Sequence, residues 1–155
     1  MKLTVVAIGQ RLPAWAEEAC ADYLKRFPPD WKVELKALKA ESRESKPVPA
    51  VMAAEAARID TAIGAGCRRI VLDERGARLS SAELAQRFQV WQMDGRPLAF
   101  VIGGADGLDP AFKAGADEAI RLSDLTLPHA LARVLLLEQI YRAWSLLHNH
   151  PYHRA

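Results

Sequence analysis

Cysteine is scarce: Cys20 and Cys67 are the only two in 155 residues. They lie far apart with no C-x-x-C spacing, which argues against a disulfide framework or a cysteine zinc site and fits a reducing compartment. An excess of one charge is also lacking. With 21 basic and 19 acidic residues the net charge is +2, so the chain is no polycation that grips nucleic acid indiscriminately, and any RNA contact has to be local. Long apolar runs are missing as well. The opening MKLTVVAIGQRLPAW is interrupted at Gln10 and Arg11, too short for a membrane span or a signal-peptide core. A cytoplasmic protein with no membrane partner is expected. What remains is an ordinary globular composition, 50% apolar and 26% charged, at a length that suits one domain over residues 1–155.

The chain alternates strand-like and helix-like segments. LTVVAIG (residues 3–9) is a β-branched run ending at glycine, and PAWAEEACADYLKRF spaces Trp15, Ala19, Tyr23 and Phe27 at helical intervals. VELKAL alternates apolar and charged residues as a strand with one wet face does, at a sheet edge. A polar loop broken by Pro47 and Pro49 follows, then an alanine-rich helix, the strand RRIVLDE, and a helix opened by a Ser80/Glu83 capping box. PLAFVIGG is nearly all apolar, the pattern of a central strand covered on both faces. A short helix around AFKAGADEA, a last strand near IRLSDLTL and a long helix over residues 129–147 complete the order. This predicts an α/β fold with a mostly parallel sheet and helices on both faces. Ligands in such sheets bind beyond the carboxyl ends of the strands, which singles out the loops after Leu72, Ile102 and Ile120.

Three stretches carry candidate chemistry. GGADGL (residues 103–108) lets backbone approach a ligand closely, or is a tight turn whose glycines serve geometry alone. It matches neither G-x-G-x-x-G nor a Walker loop, which disfavours a dinucleotide. LSDLTLPHA (residues 122–130) runs into Pro128 at the start of the long helix, either as a plain connector or with Ser123, Asp124 and Thr126 as caps. In the long helix Glu138, Arg142 and Ser145 form one narrow polar stripe and apolar residues take the rest. A helix so covered is expected to be buried on more than one side, and in a chain this small a second copy supplies the other wall; the alternative is the central helix of a monomer. All four histidines, His129, His148, His150 and His153, fall in the last 27 residues. HNHPYHRA suits proton exchange, base stacking and phosphate binding. H-x-H-x-x-H without carboxylate or cysteine support is a poor metal site, and no metal is expected.

VIGGADGL, LSDLTLPHALARVLLLEQIYRAWS and NHPYHR, in that order, closely resemble the ribosomal RNA large subunit methyltransferase H family. The likeness begins at KLTVVAIG, covers the whole chain and is strongest from Phe100 onward. Ala105 and Asp106 stand where that family commonly has a Pro-Glu pair. The resemblance implies a SPOUT-type fold with a C-terminal trefoil knot, a homodimer, and S-adenosylmethionine (SAM)-dependent methylation of N3 of a pseudouridine in 23S ribosomal RNA, on the assembled ribosome. It places SAM contacts on Leu72, Gly103 and Gly104, and on Leu122, Ser123, Asp124, Leu125, Thr126, Leu127 and Pro128. The attacked nitrogen carries a proton that has to leave, so His153 is the candidate proton acceptor, Tyr152 positions the base and Arg154 holds phosphate or developing charge. His129, Arg133 and Arg142 are further candidates for RNA contact or for orienting the tail, although Arg142 has Glu138 one turn away as a simple partner. The competing expectations are a noncatalytic ribosome-associated RNA-binding module and a SPOUT methyltransferase acting on transfer RNA.

Overall fold

The computed structural model describes residues 1–44 and 46–154, the last of these by its backbone only. Five parallel strands form one sheet in the order β2-β1-β4-β3-β5: β1 (Lys2–Ile8), β2 (Lys32–Leu38), β3 (Arg68–Arg78), β4 (Leu98–Ile102) and β5 (Glu118–Arg121). The helices are α1 (Ala14–Arg26), α2 (Val48–Ile63), α3 (Ser81–Asp94), α4 (Pro110–Ala114) and α5 (His129–Leu147), followed by a 3-10 turn, Pro151–Arg154. The fully apolar strand is central, and β2 with its wet face lies at an edge.

Alternation along the inner strands builds two cores. Leu3, Val5 and Ala7 of β1 join Phe100 of β4, Phe88 and Trp91 of α3, Cys20 of α1 and Leu136, Leu137 and Ile140 of α5 on one face. Val6 and Ile8 join Val101, Val71, Ile59 of α2 and Phe112 of α4 on the other. Because every inner position is buried, a register slip of one residue would exchange the two faces, so each strand's register is fixed by packing. The Ser80/Glu83 capping box opens α3 as its spacing predicts.

Some expectations shift. Of the residues spaced at helical intervals in α1, Trp15 is 53% exposed, and it is Ala16 and Cys20 that are buried. The last strand stops at Arg121: residues 122–128 form an irregular connector, in which the Leu125 N–H donates to Ser123 Oγ. A hydroxyl that bonds its own backbone two residues on competes with a strand ladder. Pro128 is the N-cap of α5 and no side chain caps the helix, so the capping alternative for Ser123, Asp124 and Thr126 does not hold. Ser145, placed in the polar stripe, is fully buried.

Helix α5 leaves the carboxyl edge of the sheet at His129 and ends at the amino edge. There His148 meets the Trp31 ring at 6.3 Å, and the neighbouring Lys32 N–H donates to Met1 O. Its flanks are α1 and α3, while Leu131, Val134 and Leu135 stay half-exposed.

Candidate active site

A cleft of about 560 Å³ opens at the carboxyl edge of the sheet. Three segments wall it. Leu72, Asp73 and Glu74 come from β3, Ile102 and residues 103, 105–108 from the loop after β4, and Arg121 with residues 122–127 from the connector after β5; Met52 of α2 and His129 of α5 complete the rim. Eight of the expected cofactor positions meet here: Leu72, Gly103, Leu122, Ser123, Asp124, Leu125, Thr126 and Leu127. Gly104 and Pro128 sit beside the cleft without lining it.

The glycines act through geometry rather than as ligand-facing gaps. A Cβ on Gly104 would stand 2.8 Å from Glu55 Oε1 and 3.1 Å from Ile8 Cγ2, and one on Gly103 would stand 2.9 Å from the Gly107 carbonyl carbon. Both missing side chains therefore admit protein atoms, and the loop closes by the Gly107 N–H donating to Gly104 O. Gly107 itself has φ +85°, a left-handed conformation that glycine adopts without strain. Asp106 pairs with Arg43 at 2.5 Å, tying this loop to the polar segment before α2.

Charged groups of both signs line the cleft. Asp73, Glu74, Asp106 and Asp124 face Lys113, Arg121 and His129. Asp73 is paired with Lys113 at 3.6 Å, and Asp124 is held below the usual carboxylate range by its hydrogen bond from Arg121 and by Arg78 nearby. Apolar walls from Leu72, Leu108, Leu122 and Leu127 with exposed main chain suit an adenine ring, and carboxylates at the rim suit a cationic sulfonium, so these residues fit SAM. Sequence reasoning missed Asp73, Glu74 and Met52. Asp73 and Glu74 directly follow Leu72 at a strand end, which was the available signal.

The tail residues form a second constellation at the opposite edge. His153 Nδ1 lies 2.8 Å from Ser145 Oγ, and the Tyr152 hydroxyl donates to Glu138 Oε1 at 3.1 Å and lies 3.0 Å from the Tyr23 hydroxyl. Arg142 grips the same Glu138 oxygen at 2.8 and 2.7 Å, with its guanidinium 5.1 Å from the Tyr152 ring centre. Arg142 thus pairs with Glu138 and braces the tail. The Arg154 side chain lies outside the described residues. The three tail imidazoles diverge: His148 Nδ1 is bonded to Trp144 O and His150 Nδ1 accepts the Tyr152 N–H, while His153 takes Ser145. Among the described residues no three His, Cys, Asp or Glu side chains converge as metal ligands.

Arg133, expected at RNA, is buried at 2% exposure. Its Nη2 donates to Ile8 O at 3.0 Å and Gly9 O at 2.6 Å, pinning α5 to the exit of β1. Phosphate cannot reach it in this packing. Ser145, to which His153 is bonded, lies sixteen residues along α5 from His129, roughly 24 Å at the helical rise. The tail thus packs along the second half of α5, from Glu138 to Ser145, away from the end of the helix that borders the cleft.

A family model described as predicted SPOUT methyltransferase matches residues 1–153. Proteins named ribosomal RNA large subunit methyltransferase H match over 99% of both chains. That of Methylibium petroleiphilum is 66% identical over 155 residues and that of Leptothrix cholodnii 61%. The chain belongs to the ribosomal RNA large subunit methyltransferase H family of SPOUT methyltransferases. A probable methylase family protein of Haemophilus influenzae shares the fold, with a TM-score of 0.54 at 12% identity over 97% of this chain and 69% of its own.

Proposed function

We propose that the protein is a SAM-dependent methyltransferase that methylates N3 of a pseudouridine in 23S ribosomal RNA, acts in the cytoplasm on the assembled ribosome, and works as a homodimer. The observation that carries this reading is the meeting of eight expected cofactor residues in one leucine-walled cleft, in a chain 66% identical to a named large-subunit rRNA methyltransferase. Among the described residues no helix is long and apolar enough to cross a membrane. The reading includes the trefoil knot of the family, formed as the chain from β4 to α5 threads its two cleft loops.

In the proposed mechanism, residues 122–127 and Leu72 hold the adenosine and methionine portions of SAM by main chain and apolar contact. Bound SAM supplies an already activated methyl group, so the protein's task is alignment, exclusion of water and removal of the N3 proton. His153 is the proton acceptor. Ser145 Oγ occupies its Nδ1, which leaves Nε2 as the nitrogen presented outward. Tyr152 keeps its proton and serves as a positioning donor, because burial, the Tyr23 hydroxyl and the Glu138 charge all raise it above its ordinary value. Arg154 is assigned to the developing charge or to a phosphate, and His129, on the cleft rim, to the RNA.

His153, held at Ser145 roughly 24 Å along α5 from His129 at the cleft rim, would then act on another copy's cleft. Two α5 helices packed antiparallel about a two-fold axis through their half-exposed faces would bring the end of each beside the start of the other. The noncatalytic and transfer-RNA readings are separated from this one by incubating the protein with methyl-labelled SAM and ribosomal subunits, intact ribosomes or transfer RNA, then mapping the label. Label at a 23S pseudouridine is expected; label on transfer RNA alone, or none, contradicts the proposal.

A further inference from the structure

Behind the cofactor cleft lies a second cavity, of about 340 Å³, lined by Arg78, Ser80, Arg121, Leu122, Ser123 and Asp124 among others. Residues 121–124 are a wall common to both cavities. Asp124 holds two cations at once: Oδ2 is 2.6 Å from Arg78 Nη2 and Oδ1 is 2.8 Å from Arg121 Nη1. The other carboxylate of the cavity, Glu83, is committed to the Ser80 N–H at 2.9 Å as the helix cap. Arg121 Nε is buried without a hydrogen-bond partner among the described residues. Two guanidinium groups with spare donors therefore share one carboxylate.

That carboxylate is easily displaced. The Asp124 and Arg78 side chains are 51% and 72% exposed, so their pairing is screened by water and weak. A phosphate offers more oxygens and matches the guanidinium fork in two-point contact. We propose that Arg78 and Arg121 form a subsite for a backbone phosphate of the RNA substrate, with Asp124 as the placeholder that RNA displaces. This rests on the rRNA methyltransferase reading. It adds a fixed point for the RNA strand on the far side of the cofactor connector, and it makes RNA arrival release Asp124 within the segment that walls the cofactor cleft.

The test compares wild type, Arg78→Gln and Asp124→Asn by fluorescence anisotropy with a labelled large-subunit rRNA fragment, without SAM, across a salt series. Arg78→Gln is expected to weaken binding about tenfold and to flatten the dependence of log affinity on log salt by roughly one. Asp124→Asn is expected to tighten binding several-fold, and Arg78→Lys to restore part of the loss. SAM affinity of Arg78→Gln, measured by calorimetry, is expected to equal wild type. Unchanged RNA affinity and slope in Arg78→Gln, or the same direction of change in both variants, overturns the subsite. Wild type that binds this RNA but methylates no ribosomal substrate overturns the activity while the subsite stands on the binding data; wild type that binds no RNA overturns both.

Discussion

Tyr152 illustrates how a single side chain can hold a C-terminal segment in place. Its hydroxyl links the tail to Tyr23 of α1 and Glu138 of α5, and Arg142 completes the cluster through the same carboxylate. The phenol is raised from an ordinary 10.0, first by burial, then by the Tyr23 hydroxyl and the Glu138 charge. A raised value in the folded state means that the docked tail binds the proton more tightly than the free tail does. Docking is therefore fully stabilised below about pH 10 and weakens as the pH climbs toward the folded-state value. Hydrogen exchange of the amides in residues 150–154 is expected to accelerate at about pH 11 beyond the intrinsic base effect. Tyr152→Phe is expected to remove that excess, and an excess that persists in the variant would place the titration elsewhere.

At the scale of elements, β3 shapes the cleft wall by leaving its ladder. Leu72 and Ala77 both pair with Ile120 of β5, so residues 73–76 are thrown outward, carrying Asp73 and Glu74 to the rim. The excursion returns at Gly76, where a Cβ would lie 2.6 Å from the Ile120 carbonyl carbon and 2.7 Å from its nitrogen. Backbone cannot yield as a flexible side chain does. Gly76→Val is expected to lower stability by about 2–3 kcal/mol in chemical denaturation and to weaken SAM binding by moving this wall; an unchanged midpoint would show that the strand does not rejoin there.

Much of this layer was legible in the sequence. The apolar run of β4, the alternation of β2 and the Ser80/Glu83 cap reflect local rules that packing did not override. The excursion was not legible, because DERGAR reads as a plain continuation of RRIVLDE until β5 is present to define the register. The extended look of LSDLTL likewise hid an irregular connector, since its turn depends on Ser123 bonding the backbone of Leu125. Arg133 looked like an RNA contact because a charged residue at one step of a helix says nothing of the two carbonyls waiting beneath it. The proposed cofactor positions rest on family resemblance alone. Leucines and main chain carry no chemical signature of their own.

At the scale of the whole molecule, cleft and tail stand apart. The cleft occupies the carboxyl edge, and the tail packs along the second half of α5 toward the amino edge. The proposal accordingly requires one copy to donate His153 to the cleft of the other. Mixing inactive variants tests this most directly. Leu127→Trp fills the cofactor cleft and keeps the tail; His153→Ala keeps the cleft and loses the proton acceptor. Each alone is expected to be inactive on ribosomes. Co-refolded in equal amounts, half of the dimers are mixed and each mixed dimer has one complete site, so about one quarter of the wild-type methylation rate is expected. A mixture that forms mixed dimers and remains inactive would contradict a site shared between subunits.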